Sequence, residues 1–421
     1  MRRRREPVPA VRFVALAIAA GAVIAACSGS GGSDPAPTVV TTTTEPLQVR
    51  VDDGVLRIGA LVPSGDTGIG ALLTESIDQA IAQVNTAGGV LGEPVEFATD
   101  DEGDSPVTAS QAIENLVAAG VDAIIGPTSS NAAIGALDMA VADGIVTCSA
   151  TATAIALDEY PDGGLFFRTI ATDSLQAIAI AGEVQATGAA NVVIVHVDDA
   201  YGRPYAEAVA DALDGPILVD TIAVAVGVDD LTEDIDELVA AAPQAVVVVG
   251  SGEDTARFLE GMGQREDIDV STIIVNDDAR SAGSRQVMAG LPDSIRDRVV
   301  AVAPQIVVGD GQRIADDPPF GPQLIDCVNL LALSAVQGQS DSPSVIAGQM
   351  GSVSTGGTPC RDFASCAERL ADDDDNDIDY DGPTGITVLG QNGDPSRAFF
   401  DRLRFAADGS ENFDSKIAVQ I

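Results

Sequence analysis

Between residue 55 and about residue 303, short apolar runs alternate with segments of helical length, and this alternation restricts the fold more than any other feature of the chain. The runs are 56–62, 95–98, 123–125, 145–148, 192–197, 217–226, 245–249, 272–275 and 299–303; helical-length segments between them include 72–84, 110–119, 206–213 and 231–241. Parallel neighbours need a crossover of about a dozen residues or more, usually a helix. The alternation therefore predicts βαβ units and parallel sheets covered on both faces, an α/β class. Val192-Val193-Ile194-Val195 and Ala245-Val246-Val247-Val248-Val249 are continuous rather than alternating, as strands buried on both faces are. Nine runs exceed one small doubly wound sheet, so two sheets and two lobes are expected. After residue 304 the pattern changes. Pro318-Pro319 precedes a helical pattern at 324–336, a polar, Gly-rich stretch runs to Pro359, and a short helix holds Cys366. The acidic run 372–375 leads into hairpin-like pieces at 386–389 and 399–405, around the turn Asn392-Gly393-Asp394.

Two of the apolar runs end in loops of small hydroxyl residues. The first loop is Gly126-Pro127-Thr128-Ser129-Ser130 and the second is Ser149-Ala150-Thr151-Ala152-Thr153, and a helical pattern follows each. A parallel strand that feeds a helix through such a loop aims backbone N–H groups and hydroxyls at one crevice. One loop alone reads as helix capping. The pair reads as a pocket for a small ligand bearing an anionic group such as a carboxylate.

The first 26 residues read as an export signal: Arg2, Arg3, Arg4, Arg5 and Arg12, then an apolar stretch at 13–26 that is short for a membrane span. It ends Ile24-Ala25-Ala26-Cys27, which resembles a bacterial lipobox and makes Cys27 the expected lipidation site. Ser28-Gly29-Ser30-Gly31-Gly32-Ser33 and a Thr-rich polar spacer follow as a flexible tether, 27–54 in all. Sec and twin-arginine export both remain open. No later run reaches 18 uncharged apolar residues, so the remainder is expected outside the bilayer, held to the cell membrane by lipid.

The chain carries 22 basic and 64 acidic residues. Removing the signal leaves 17 against 63, a net charge of −46 that repels nucleic acid and anionic lipid. Hydrophobic residues are 46% of the chain, so the charge does not imply disorder. Such a field favours a cationic or zwitterionic ligand. Apart from Cys27, Cys148, Cys327, Cys360 and Cys366 are an even number in an oxidising compartment. Their pairing is open among three possibilities, with a clip between the neighbouring Cys360 and Cys366 plausible. No cofactor or metal is expected. Asp377-x-Asp379-x-Asp381-Gly382 imitates an EF-hand start, but its twelfth position is Val388 rather than Glu. His196, inside an apolar run with no nucleophile motif near it in sequence, reads as a core or strand-end residue.

Several short motifs then occur in an order that resembles one family. They are Leu56-Arg57-Ile58-Gly59-Ala60-Leu61-Val62-Pro63, Asn85-Thr86-Ala87-Gly88-Gly89-Val90-Leu91-Gly92, Asp100-Asp101, the two hydroxyl loops, Phe167-Arg168-Thr169, Asp198-Asp199-Ala200-Tyr201-Gly202 and Tyr380-Asp381-Gly382-Pro383-Thr384-Gly385. Over 55 to about 410 the chain resembles the periplasmic leucine/isoleucine/valine-binding proteins, the substrate-binding subunits of branched-chain amino acid ABC transporters. The resemblance implies the type I periplasmic binding protein fold: two doubly wound parallel-sheet lobes joined by a three-stranded hinge and closing on a ligand. It assigns 55–170 with 304–392 to the N-terminal lobe and 171–303 with 393–421 to the C-terminal lobe.

By the same resemblance Ser130, grouped with Ser129, and the loop segment holding Thr151 and Thr153 would hold an α-carboxylate. Asp278, or next Asp277, would hold an α-ammonium from the second lobe, and Tyr201 would wall the cleft. The family's further aromatic wall falls near Ser251-Gly252-Glu253, which is small and polar here, so a more polar or larger ligand than leucine is allowed. The expected function is a monomeric, membrane-tethered solute receptor that passes an amino acid or similar small solute to an ABC permease by hinge closure, making and breaking no bond. The rivals are a sensor of the same fold and an extracellular hydrolase; no nucleophile–base constellation supports the hydrolase.

Overall fold

Continuous apolar strands need covers on both faces, and the chain supplies them. The computed structural model of the protein describes residues 52–64, 69–103, 105–280, 282–305, 320–372, 377–385 and 387–421; the export segment, Cys27 and the tether up to residue 51 lie outside these residues. The first lobe runs β1 (Arg57–Val62), α1 (Ile69–Thr86), β2 (Glu96–Asp101), α2 (Pro106–Ala118), β3 (Ala123–Ile125), α3 (Ser130–Ala142), β4 (Val146–Ser149) and β5 (Phe166–Arg168). These strands form a parallel five-stranded sheet in the order β2-β1-β3-β4-β5. The second lobe runs α4 (Asp173–Thr187), β6 (Asn191–Val197), α5 (Gly202–Asp211), β7 (Leu218–Val224), α6 (Thr232–Ala241), β8 (Ala245–Val249), α7 (Gly252–Gly263), β9 (Thr272–Val275), α8 (Ala282–Gly290), α9 (Asp293–Arg296) and β10 (Val299–Pro304). The chain then returns through α10 (Gly321–Gly338), α11 (Pro343–Met350), β11 (Thr358–Cys360), α12 (Phe363–Leu370) and β12 (Ile378–Tyr380), and ends in β13 (Arg397–Phe405) and β14 (Glu411–Gln420). The second sheet has seven strands in the order β14-β13-β10-β9-β8-β6-β7, parallel except that β13 runs antiparallel to both its neighbours, β10 and β14.

The continuous runs divide between two cores. In β6, Val193 and Val195 enter one hydrophobic cluster while Val192 and Ile194 enter the other. Each fully buried side chain of this size contributes about 1.5–3 kcal/mol. Helix starts follow local chemistry: Ser105 and Thr108 form a reciprocal capping box at α2, with Pro in its first turn, and Thr172 caps α4 by accepting from the Leu175 N–H at 3.3 Å. Helix α10 is buried along most of its length and packs on α1, α11 and α12.

Two expectations need correction, and two strands were not expected. The stretch 337–359 contains α11, because Pro343 opens a helix and Ile346 and Met350 bury one face. Residues 399–405 pair not with 386–389 but with β10 and β14; Leu389 makes an isolated bridge to Pro395, and Ile386 lies outside the described residues. β14 escapes a reading by apolar runs because it is an edge strand, polar and largely exposed. β5 is likewise missed; three residues are too short for a periodicity.

The chain crosses between the sheets at 169–172, again between β10 and α10, where 306–319 lie outside the described residues, and at 381–396. Arg168 ties the first crossing to the third. It is wholly buried and donates from Nε and Nη2 to Asp394 at 2.6 and 2.7 Å, with further bonds to Asp158 and the Ala154 carbonyl. A two-pronged buried guanidinium–carboxylate contact is among the strongest polar contacts available to a fold. Gly393 has φ +79°, and a Cβ there would lie 2.2 Å from the Phe166 carbonyl oxygen, so only glycine lets the third crossing lie against β5. Disulfides join Cys148 to Cys327, linking β4 to α10, and Cys360 to Cys366.

Candidate functional site

The two hydroxyl loops meet at the carboxyl ends of β3 and β4. The Ser130 Oγ accepts from the backbone N–H groups of Thr153 and Ala154, each at 3.2 Å. A hydroxyl that accepts twice keeps its own hydrogen to donate outward. The Thr151 hydroxyl donates to the Thr128 carbonyl at 2.6 Å, which clamps one loop on the other. Ser129 caps α3, its Oγ accepting from the Ala132 N–H at 3.0 Å, so its hydroxyl performs the local capping role. Under the first loop Glu102, 2% exposed, accepts from the Thr128 N–H at 2.6 Å and from the Thr128 hydroxyl. Burial raises its pKa against those bonds. Sequence reading stopped at Asp100-Asp101 and missed Glu102, whose role depends on the loop folded over it.

The second lobe supplies the opposite charge. Tyr201 stands at the start of α5, positioned by Asp199, whose Oδ1 accepts from the N–H groups of Tyr201 and Gly202 at 3.0 and 2.7 Å. Its ring lies edge-on to Tyr205, with centroids 5.8 Å apart, and it packs against hydrophobic clusters of both lobes. Asp277 and Asp278 begin a short 3₁₀ turn after β9. Asp277 accepts from Gln176 Nε2 at 2.8 Å, and Asp278 accepts from Asn276 Nδ2 at 3.2 Å. Asn276 Nδ2 also reaches the Tyr201 hydroxyl at 3.2 Å and the Gly250 carbonyl at 3.3 Å. Burial, with the neighbouring Asp277 charge, pushes the Asp278 pKa up to about 7.

Between these groups sits a residue that the sequence did not single out. Asp173 opens α4 at the first crossing and is 1% exposed. Its N–H donates to the Thr153 carbonyl at 3.0 Å, joining it to the first-lobe loop. Neither of its carboxylate oxygens has a hydrogen-bond partner of acceptable geometry among the described residues; the Thr153 hydroxyl faces it and favours its charge without reaching that geometry. Burial, then the charges of Asp277 and Asp278, hold its pKa well above the ordinary carboxylate range, with Arg168 opposing. An acidic residue in the first turn of a helix is ordinary helix chemistry, which hides it in the sequence; its place in an apolar stretch, 170–180, was the available signal.

The structure thus groups Ser130, Thr153, Tyr201, Asp277 and Asp278 around Asp173, with Thr151 bracing and Ser129 capping behind them. His196 lies apart at the end of β6, 6% exposed, with Nδ1 2.9 Å from the Val197 carbonyl oxygen. Ser251 caps α7 and is exposed, as is Glu253, so no aromatic side chain stands at this point of the wall. A solvent-open cavity of about 430 Å³ at the third crossing, lined in part by Gln305, Asp381 and Lys416, contains none of the predicted ligand residues.

The comparisons with known proteins agree with this architecture. The chain is 28% identical over 354 residues to the chemotactic signal transduction system substrate-binding protein BasB of Halobacterium salinarum, spanning 79% of this chain and 83% of that one. It is 28% identical over 201 residues to Leu/Ile/Val-binding protein homolog 1 of Brucella melitensis, spanning 47% of this chain and 53% of the relative. In fold it is similar to the branched-chain amino acid transporter substrate-binding protein LivJ of Streptococcus pneumoniae, solved with isoleucine, at TM-score 0.65 and 18% identity over 87% of this chain and all of that one. The sequence profile described as periplasmic binding protein matches residues 55–291, the part that carries both hydroxyl loops, Asp173, Tyr201 and the Asp277-Asp278 pair, and the chain belongs to that family.

Proposed function

We propose that this protein captures an amino acid or similar small polar solute outside the cytoplasm, between its two lobes, and delivers it to an ABC permease while held to the cell membrane by lipid on Cys27. The observation that carries the reading is the junction at Thr153 and Asp173. There, a loop rich in donors, ending at Ser130 and Thr153, adjoins an acidic group from the other lobe through the 3.0 Å bond from the Asp173 N–H to the Thr153 carbonyl. A zwitterion matches such a pair of poles. Contacts in both lobes favour the closed state, since a ligand shifts an equilibrium only by its differential affinity for the two states. Family members are binding proteins, and no reaction is assigned to this one.

A thermal-shift screen of amino acids identifies the ligand, because a solute at 100 times its Kd stabilises the fold by about 2.7 kcal/mol. Asp278→Asn then tests the ammonium pole: it should weaken the amino acid at least tenfold while leaving its des-amino analogue within about threefold, since shape is kept and charge is lost. Equal weakening of both removes Asp278 from ammonium recognition. A second reading, presentation of ligand occupancy to a signalling partner, is favoured by the likeness to BasB. Permease and ATPase genes beside this one support transport; a neighbouring signal-transduction gene supports sensing.

A further inference from the structure

The site holds more acceptors than a single ammonium uses. Four buried acceptor oxygens lack a hydrogen-bond partner among the described residues: both oxygens of Asp173, Gln176 Oε1 and Asn276 Oδ1. Gln176 and Asn276 are 1% and 0% exposed. They belong to one group, because Gln176 Nε2 donates to Asp277 and Asn276 Nδ2 donates to Asp278, and both carboxylates act on Asp173. An unsatisfied buried polar atom costs roughly 1–3 kcal/mol, so four in one cluster point to a donor-rich occupant.

Three carboxyl groups, those of Asp173, Asp277 and Asp278, share the cluster. Arg168, which also acts on Asp173, is engaged by Asp394, Asp158 and the Ala154 carbonyl. A primary ammonium brings three donors and one charge, whereas a guanidinium adds five donors in a planar fork and a second charge. The wall that would hold an aliphatic side chain is made of exposed Ser251 and Glu253. The Gly250 carbonyl, just before that loop, turns toward the same group, since it accepts from Asn276.

We propose that the cleft is selective for basic amino acids, the α-ammonium and the side-chain cation together occupying the acceptors of Asp173, Asp277, Asp278, Gln176 and Asn276 while the α-carboxylate meets the Ser130–Thr153 pole. The inference rests on the amino-acid reading above and names the class within it.

Calorimetric titration of the purified wild-type protein with L-arginine, L-lysine, L-norleucine, L-leucine and L-glutamate tests it without any variant. Norleucine has lysine's aliphatic chain without the terminal amine. The expected result is that arginine or lysine binds at least tenfold more tightly than norleucine and leucine. Norleucine or leucine binding as tightly as the basic pair overturns the selectivity and leaves amino-acid capture standing; binding of none of the five overturns both. Asp173→Asn, folded by circular dichroism, should lower affinity for the basic ligand at least tenfold. No loss of that affinity removes Asp173 from cation recognition.

Discussion

Ser130 shows how one side chain braces a loop and still keeps a donor to offer. Its Oγ gathers two N–H groups from the next loop, and its own hydrogen remains for an anion. A hydrogen bond to a charged group contributes about 1.5–3 kcal/mol, so Ser130→Ala should weaken a carboxylate ligand roughly tenfold to a hundredfold, with the circular dichroism unchanged. Unchanged affinity would make Ser130 a brace between loops and nothing more. Asp278 sets a pH dependence at the same scale. Asp277, Asp173, Tyr201 and Tyr205 all face it, and Arg168 acts at a distance through Asp173. Its pKa of about 7 in the unliganded protein means that below pH 7 the group holds a proton which a bound cation must expel. Affinity for a cationic ligand should therefore rise as pH increases through 7. Calorimetry in two buffers of different ionisation enthalpy should detect proton release on binding at pH 6; proton uptake would have the wrong sign.

Among the elements, β4 and α10 are joined covalently. Cys148 lies on the strand that feeds the second hydroxyl loop, and Cys327 sits in the middle of the buried helix that returns to the first lobe, 179 residues later. Restricting so long a loop in the unfolded chain is worth about 5 kcal/mol in the chain-entropy account, against about 2 kcal/mol for a loop the size of Cys360–Cys366. Cys148→Ala with Cys327→Ala should therefore lower the free energy of unfolding in urea by several kcal/mol, and more than the double replacement of Cys360 and Cys366. The reverse order would show that native-state packing, not chain restriction, governs these bridges. The sequence left this pairing open because a distance of 179 residues says nothing about proximity; the fold settles it by laying α10 against β4.

At the scale of the whole molecule, three crossings join the two sheets, and the buried contact of Arg168 with Asp394 ties the first crossing to the third. No described helix is long and apolar enough to cross a membrane. On the reading proposed here, attachment rests on Cys27, and Cys27→Ala should move the protein from the membrane to the soluble fraction of fractionated cells with ligand affinity unchanged. Retention on membranes would exclude that anchor.

The alternation of apolar runs and helical segments by itself determined an α/β chain with two sheets, because buried parallel strands need apolar side chains on both faces and long crossovers. The hydroxyl loops were legible for the same reason, as strand ends that feed helices. Short β5 and polar β14 were not legible, since neither carries a periodicity strong enough to mark it. Tertiary structure alone decided the acidic group. Asp173 is separated from Asp277 by about a hundred residues and reads locally as a helix-start residue. Only folding brings it beside Asp277, Asp278, Gln176 and Asn276 with its oxygens buried, because such contacts depend on how two sheets face one another across a hinge, and no local pattern encodes that distance.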